Sequence, residues 1–325
     1  MSAVKTILAL VLAVGLVGGA LYVRSEFIES DEPVAAPSTG PTAATGSGGG
    51  EGDAELAVAC DEVLGQACPA GSDALDLAEL LDAFTTAPVT YDALVAPLAV
   101  VEMIEQSQRS RATFGEDRDV LATSPLVLVT AVARDELVAD ACGAEITWAC
   151  AAELLRTGDL RGGFASFDGS TEALTGLGAL AGGLFGGSAY SLADLQGTAY
   201  VSWVDGVLGQ SVRTGDPVSQ LILTGGAQND TAVALEATAL PAVRGSTRDN
   251  ANLAWPTPVA HLPVVAVGVD GADVGDLGER TAQALLDAGW RGPDGAPVAD
   301  GPPAPPDDDG LPSGGTLFAL RERLP

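Results

Sequence analysis

All four cysteines of the chain lie in two stretches of the same form, ACDEVLGQAC and ACGAEITWAC. Zinc ligands usually stand two to four residues apart and redox pairs form C-x-x-C, so a gap of seven residues fits neither chemistry. Four cysteines allow three disulfide connectivities. Pairing within each stretch, Cys60–Cys68 and Cys142–Cys150, is the simplest, because it does not require cysteines that are distant in the sequence to come together. The residues around the two pairs do not match, so they do not mark a sequence repeat.

The remaining inventory of reactive residues is small. His261 is the only histidine, and it stands at the start of an apolar run, where a structural or interface role is the commoner one. No Ser-His-Asp set, phosphate-binding loop or dinucleotide fingerprint occurs. We therefore predict no catalytic residue, no metal site and no cofactor. An exported hydrolase that uses a carboxylate pair is the weakest of three functional hypotheses.

The charge balance excludes one class of partner. The 325 residues carry 44 acidic against 15 basic side chains, a net charge of −29. Such a chain has no basic stripe to displace the counterions of a nucleic acid, so we predict no nucleic-acid binding. With 47% hydrophobic residues, it can bury one large core or the cores of two lobes.

The N-terminal stretch Thr6–Val23 holds 18 residues without a charge. As a helix it would span about 27 Å, close to the hydrocarbon thickness of a bilayer. Residues 1–25 are predicted to be a single-pass transmembrane anchor or, alternatively, a cleaved secretory signal. Residues 26–53, rich in Pro, Gly, Ser, Thr and acid, are predicted to be a disordered linker. Both alternatives put the body on the extracytoplasmic side, where disulfides persist.

From residue 54 onward, apolar runs alternate with amphipathic segments, which indicates an α/β fold with mixed, largely parallel sheets. Ser72 is the expected N-cap of the first helix, and Thr147 and Gly158 are expected to start and stop a later one. A small-residue helix is expected to begin at Ser170 or Thr171. The segments AVALEATAL and LPVVAVGV are both predicted to be strands.

Several of these stretches, in order, resemble one known family. They are ELAVACDEVLGQAC, YDALVAPLAVVEMI, LATSPLVLVTA, CGAEITWACAAELL, SFDGSTEALTGLGAL and WPTPVAHLPVVAVGV. Residues 54–325 resemble type II extracytoplasmic substrate-binding proteins of bacterial ABC transporters. The likeness is to the molybdate- and phosphate-binding-like group, and in particular to membrane-anchored actinobacterial members. It implies a two-lobed periplasmic-binding-protein-like fold, with lobe 1 at 54–123 and 246–325 and lobe 2 at 124–245.

The resemblance also implies a small solute in a cleft between the lobes. Helix N-termini and hydroxyls at the carboxyl ends of strands suit an oxyanion, so Ser124, Ser170 and Thr171 are the predicted ligand contacts. Their alternative roles are helix capping and turn formation. Asp61 and Glu236 are weaker candidates, suited to a cationic or polyhydroxy ligand. Cys60-Asp61 occupies the place of the small polar residue usual in the family, and an acid there would repel an anion.

The first hypothesis is thus a non-catalytic, membrane-tethered solute receptor that works with a membrane permease or another membrane protein. The alternative is an interaction module that kept the fold without a small-molecule ligand.

Overall fold

The computed structural model describes residues 56–85, 88–107, 110–116, 118–296 and 310–324. Residues 54–325 form one compact unit. The strands of the described residues are Val58–Asp61 (β1), Asp73–Leu75 (β2), Ala93–Pro97 (β3), Val120–Ala131 (β4), Gly162–Phe164 (β5), Val212–Arg213 (β6), Thr231–Leu235 (β7), Ala251–Ala254 (β8) and His261–Gly268 (β9).

The α-helices alternate with these strands, and two short 3₁₀ helices, Glu62–Ala67 and Val132–Arg134, follow β1 and β4. The α-helices of the described residues are Leu77–Thr85 (α1), Leu98–Gln106 (α2), Asp135–Cys142 (α3), Trp148–Thr157 (α4), Thr171–Phe185 (α5), Leu192–Leu195 (α6), Thr198–Gly209 (α7), Pro217–Thr224 (α8), Glu236–Gly245 (α9), Gly275–Asp287 (α10) and Gly314–Arg321 (α11).

The strands form two half-sheets that share β4. The first half-sheet has the order β2-β1-β3-β9-β4, in which β4 contributes its residues up to Pro125. The second half-sheet has the order β6-β5-β7-β4-β8, in which β4 contributes its residues from Leu126 onward. In both, three parallel strands are followed by two antiparallel pairings. The topology therefore repeats although the sequence does not, because strand order needs only matching elements and not matching residues.

The sheet is mixed, as predicted, but it is not largely parallel. Four strand pairings among the described residues are parallel and four are antiparallel. The antiparallel ones all involve β4 or β9, the two long strands that pass along the middle of the sheet. Apolar runs alone do not reveal strand direction, so this part of the prediction was wrong.

Two local predictions also need correction. Ser72 does not cap the first helix, because Asp73–Leu75 forms the short strand β2 between them. The cap is Asp76, whose carboxylate accepts from the Glu79 amide, and the Glu79 carboxylate accepts in turn from the Asp76 amide. In AVALEATAL the strand ends at Leu235, and the rest is helix α9. The second half opens with Glu236, which favours helix over strand and is stabilising in the first turn of a helix.

Other local predictions are confirmed. Thr147 caps α4 by accepting from the Cys150 amide, and Gly158 ends that helix in the left-handed conformation. Ser170 caps α5 by accepting from the Ala173 amide. Helix α5 is buried along most of its length and packs against α4 and β7. This packing positions its N-terminus at the carboxyl ends of the strands.

Both disulfides have the predicted local pairing. Cys60 bonds Cys68, with Cα atoms 5.8 Å apart, and Cys142 bonds Cys150, with Cα atoms 5.7 Å apart. The first closes the turn after β1, and the second joins α3 to α4.

The predicted anchor or signal, the linker and Thr6–Val23 lie outside the described residues. Within the residues that are described, no helix has the length and apolar character needed to cross a bilayer.

Candidate functional site

The carboxyl end of β1 meets the N-terminus of α5. The Thr171 hydroxyl donates to Asp61 Oδ2 at 2.7 Å, and the Val63 amide donates to Asp61 Oδ1 at 3.0 Å. Asp61 belongs to the first half-sheet, whereas α5 follows β5 of the second. Both side chains are buried. The contact therefore joins the two half-sheets through a hydrogen bond that is screened from water.

Burial controls the charge of this carboxyl group. It raises the pKa of Asp61 from 3.8 to about 6, because desolvation outweighs the stabilising hydrogen bonds from Thr171 and Val63, and nearby Glu62 and Asp76 add to the rise. Asp61 thus changes its charge just below neutral pH. Below that point it can donate a hydrogen bond as a neutral acid, and above it the carboxylate only accepts.

The next residue of α5 connects this contact to β7. Glu172 Oε1 accepts from the Leu235 amide at 2.6 Å and from the Thr238 hydroxyl at 3.0 Å. Burial raises the pKa of Glu172, and the bonds from Leu235 and Thr238 oppose that rise. Glu172 was not among the predicted site residues, although its place directly after Thr171 was a signal that could have identified it.

The middle of β4 carries a second polar group. Ser124 lies within the strand rather than in a turn, and its Oγ accepts from the Ala237 amide at 3.1 Å. Beside it, Glu236 forms a buried ion pair with Arg291, at 2.8 Å from Nε to Oε1 and 2.5 Å from Nη2 to Oε2. The Trp255 indole also donates to Glu236 Oε2, at 2.5 Å.

Arg291 brings the first half-sheet into this group, since its backbone pairs with Thr123 of β4. The side chain of Arg291 is only 1% exposed, and that of Glu236 is only 3% exposed. No sequence signal identified Arg291 or Trp255, because the partners stand 55 and 19 residues away along the chain.

The structure thus brings the predicted residues together. Asp61, Ser124, Thr171 and Glu236, with Glu172 and Arg291, are linked to one another by hydrogen bonds or by adjacency in the chain, and we call this set the junction cluster. Ser170 lies at its edge as the cap of α5. Every predicted hydroxyl and carboxylate already has a partner within the protein, so a solute that bound them would have to replace these contacts.

His261 lies close to the junction cluster but is not part of it. It begins β9, pairs with Pro125 of β4 and is buried. Burial lowers its pKa to about 4, and the positive charge of Arg291 acts in the same direction. A neutral imidazole at this position agrees with the structural role predicted for it.

An open pocket of about 500 Å³ lies next to the junction cluster, at the carboxyl ends of β5 and β6. Its lining comes from the β5–α5 connection, the turn after β6 and the end of the chain. The residues are Ser166, Phe167, Asp168, Arg213, Thr214, Gly215 and Leu324. Sequence reasoning missed this pocket, because its two loops are separated by 44 residues or more and only the β5–β6 pairing brings them together.

No group of three or more His, Cys, Asp and Glu side chains in the described part of the chain is arranged to hold a metal ion.

Two solved structures share the fold of this chain. Iron-bound HitA from Pseudomonas aeruginosa is 12% identical, with a TM-score of 0.53 over 82% of this chain and 98% of that one. The periplasmic binding protein AfuA from Actinobacillus pleuropneumoniae, with fructose-6-phosphate bound, is 9% identical, with a TM-score of 0.51 over 82% of this chain and 95% of that one. No family model and no curated protein matches the chain. At these identities the likeness shows the fold alone, which is a periplasmic-binding-protein fold.

Proposed function

We propose that residues 54–325 form an extracytoplasmic, non-catalytic solute-binding protein that closes its two half-sheets around a small solute. The observation that carries the proposal is the buried hydrogen bond from Thr171 to Asp61. It joins the ends of elements from both half-sheets at the edge where open α/β sheets bind ligands. A contact of this kind can form when the half-sheets close and break when they part.

Two further observations support the extracytoplasmic location. Both disulfides pair locally, and such bonds persist in oxidising compartments. AfuA, which shares the fold, is a periplasmic binding protein. We extend the proposal to a single-pass N-terminal anchor and to a membrane permease as partner, on the strength of the apolar stretch Thr6–Val23.

An oxyanion is a poor fit to the junction cluster itself. Three carboxyl groups, those of Asp61, Glu172 and Glu236, stand against the single guanidinium of Arg291. Ser170 already accepts from its own helix, and Thr171 donates to a carboxylate. The negatively charged part of a solute would therefore bind away from these carboxyl groups. The role of the junction cluster is then to hold the two half-sheets closed.

One observation favours the alternative of an interaction module without a solute. The predicted contact groups are paired with one another, so closure does not require a ligand. Such a protein would use its outer surface to bind a partner protein.

A thermal-shift screen separates the two functions. The full chain, purified in mild detergent, is heated with oxyanions, organic acids, sugars, amino acids and metal ions in turn. A true ligand at 100 times its dissociation constant stabilises the folded state by about 2.7 kcal/mol. We expect one class of solute to raise the unfolding temperature and the other classes to leave it unchanged. A flat response to every class would overturn solute binding and leave the interaction module.

A further inference from the structure

The pocket beside the junction cluster contains a guanidinium, that of Arg213, that forms no ion pair with the described residues. Arg213 ends β6, and its Cζ lies 4.1 Å from the centre of the Phe167 ring. Its one hydrogen bond to the described residues runs from Nη1 to the Ala165 carbonyl, at 3.4 Å. Within the described part of the chain, no carboxylate lies within ion-pair distance of Arg213. The ring fixes the plane of the guanidinium and leaves N–H groups for another acceptor.

Two hydroxyl groups line the same pocket. Ser166 follows β5 and Thr214 follows β6, and neither hydroxyl forms a hydrogen bond with a described residue. The backbone of both is held in place, since the Ser166 carbonyl accepts from the Ser170 amide and the Thr214 amide donates to Phe164. The pocket therefore offers one guanidinium and two hydroxyls as hydrogen-bond donors on a fixed backbone.

Among the described residues, the charged side chains that line the pocket or pair with its lining add up to one positive charge. Asp168 lies 3.8 Å from Arg321, with its carboxylate 74% exposed, and its negative charge also acts on Arg213. Two guanidinium groups thus share one carboxylate, in a chain whose net charge is −29. This surplus of one positive charge suits one negative charge. A doubly charged oxyanion would meet Asp168 and the acidic remainder of the protein at greater cost.

We propose that this pocket binds a small organic monocarboxylate. The carboxylate would take the free N–H groups of Arg213 and the hydroxyls of Ser166 and Thr214, and the organic part would lie toward Leu324. The volume of about 500 Å³ lies in the range usual for small-molecule sites. The proposal rests on the proposed function and names its solute class. The β5–α5 connection carries both the pocket residues and Thr171, so a ligand there sits beside the contact that closes the half-sheets.

The test measures binding to the full chain in detergent by calorimetry. The probes are acetate, butyrate and benzoate, with the uncharged amides of the same acids and inorganic phosphate as comparisons. We expect saturable binding of at least one acid, at least ten-fold weaker binding of its amide, and weaker binding of phosphate. An amide that binds as well as its acid, or phosphate that binds more tightly than every monocarboxylate, would overturn the proposal.

Variants of the guanidinium locate the site. Arg213→Gln should weaken binding of the acid at least ten-fold, and Arg213→Lys, which keeps the charge but loses the planar fork, should weaken it by less. Arg280→Gln is the matched control, because it removes the same charge from an exposed position on α10. It should change affinity less than two-fold. Equal losses in both glutamine variants would show a general charge effect and no site at Arg213.

The outcome also separates this proposal from solute binding as such. If a sugar, amino acid or metal ion stabilises the protein and Arg213→Gln binds it with unchanged affinity, solute binding stands and the monocarboxylate pocket is wrong. If no solute binds, both are wrong.

Discussion

The carboxyl ends of β1 and β5 hold equivalent positions in two half-sheets of the same strand order, yet one is sealed and the other is open. At the end of β1, Asp61 is fully buried beneath Thr171, and the Cys60–Cys68 disulfide closes the turn that follows. At the end of β5, Ser166 is exposed and the pocket begins.

The connections explain this difference. The chain leaves β1 through a short 3₁₀ helix and reaches β2 at Asp73, so the turn stays small and lies under the N-terminus of α5. It leaves β5 through three helices before β6 begins at Val212. Two half-sheets with the same strand order therefore need not have the same kind of site at corresponding strand ends. The connection that follows each strand decides whether its end is covered by the protein or left to a ligand.

The largest effect should come from breaking the junction that the two half-sheets share. Arg291→Met leaves the carboxylate of Glu236 buried without its cation, and removing one partner of such a pair costs about 3–5 kcal/mol. Urea unfolding, followed by circular dichroism, measures the loss. The double variant Arg291→Met/Glu236→Leu removes both charges and should be more stable than the single one. If the single variant kept wild-type stability, the ion pair would not hold the junction.

The second prediction compares the buried carboxyl end of β1 with the exposed carboxyl end of β5. The pKa of Asp61, about 6, is above its unfolded value of 3.8, so between these pH values the folded chain holds a proton that the unfolded chain has lost. The contribution of Asp61 to stability should therefore fall as pH rises from 4 to 6, and this loss persists above that range, while His261, with its pKa lowered to about 4, contributes in the opposite direction. Relative to Asp61→Asn, the wild type should lose about 3 kcal/mol across this window.

Asp168→Asn is the control for this experiment, because it makes the same chemical change at the exposed end of the other half-sheet. Its pH profile, from urea titrations at pH 4 to 8, should follow that of the wild type. An Asp61→Asn profile that also followed the wild type would mean that Asp61 is ionised at no cost in the folded protein.

The smallest of the three effects compares the two disulfides. Each closes a loop of the same length, so removal of either, as Cys60→Ala/Cys68→Ala or Cys142→Ala/Cys150→Ala, should cost about 2–3 kcal/mol. Only the first should also reduce the Asp61 contribution to the pH profile between 4 and 6, because it frees the turn that buries Asp61. Equal pH profiles in both variants would show that α5 alone seals this end.

Much of the architecture could be read from local patterns. Helix caps at Thr147 and Ser170 and the local pairing of the cysteines depend on residues a few positions apart. The errors lie where direction or a boundary mattered. The proportion of parallel strand pairings was overestimated. The segment predicted to be one strand across Leu235 and Glu236 is a strand up to Leu235 and a helix from Glu236 onward.

The candidate site divides in the same way. Hydroxyls and acids at the ends of predicted strands and helices could be named from their positions, and Asp61 and Thr171 do meet. Their contact is with each other rather than with an empty cleft, which no local pattern could foretell.

Residue types and short spacings therefore determined the acidic surface, the disulfides, the alternation of strands and helices and the list of polar residues at their ends. Tertiary structure decided which of those residues are used. It placed Arg291 on Glu236 and Arg213 beside Thr214 and Ser166, and it buried Asp61 while leaving Asp168 exposed. The physical reason is that burial and charge pairing depend on what covers a group in space, and the covering elements lie tens to hundreds of residues away along the chain.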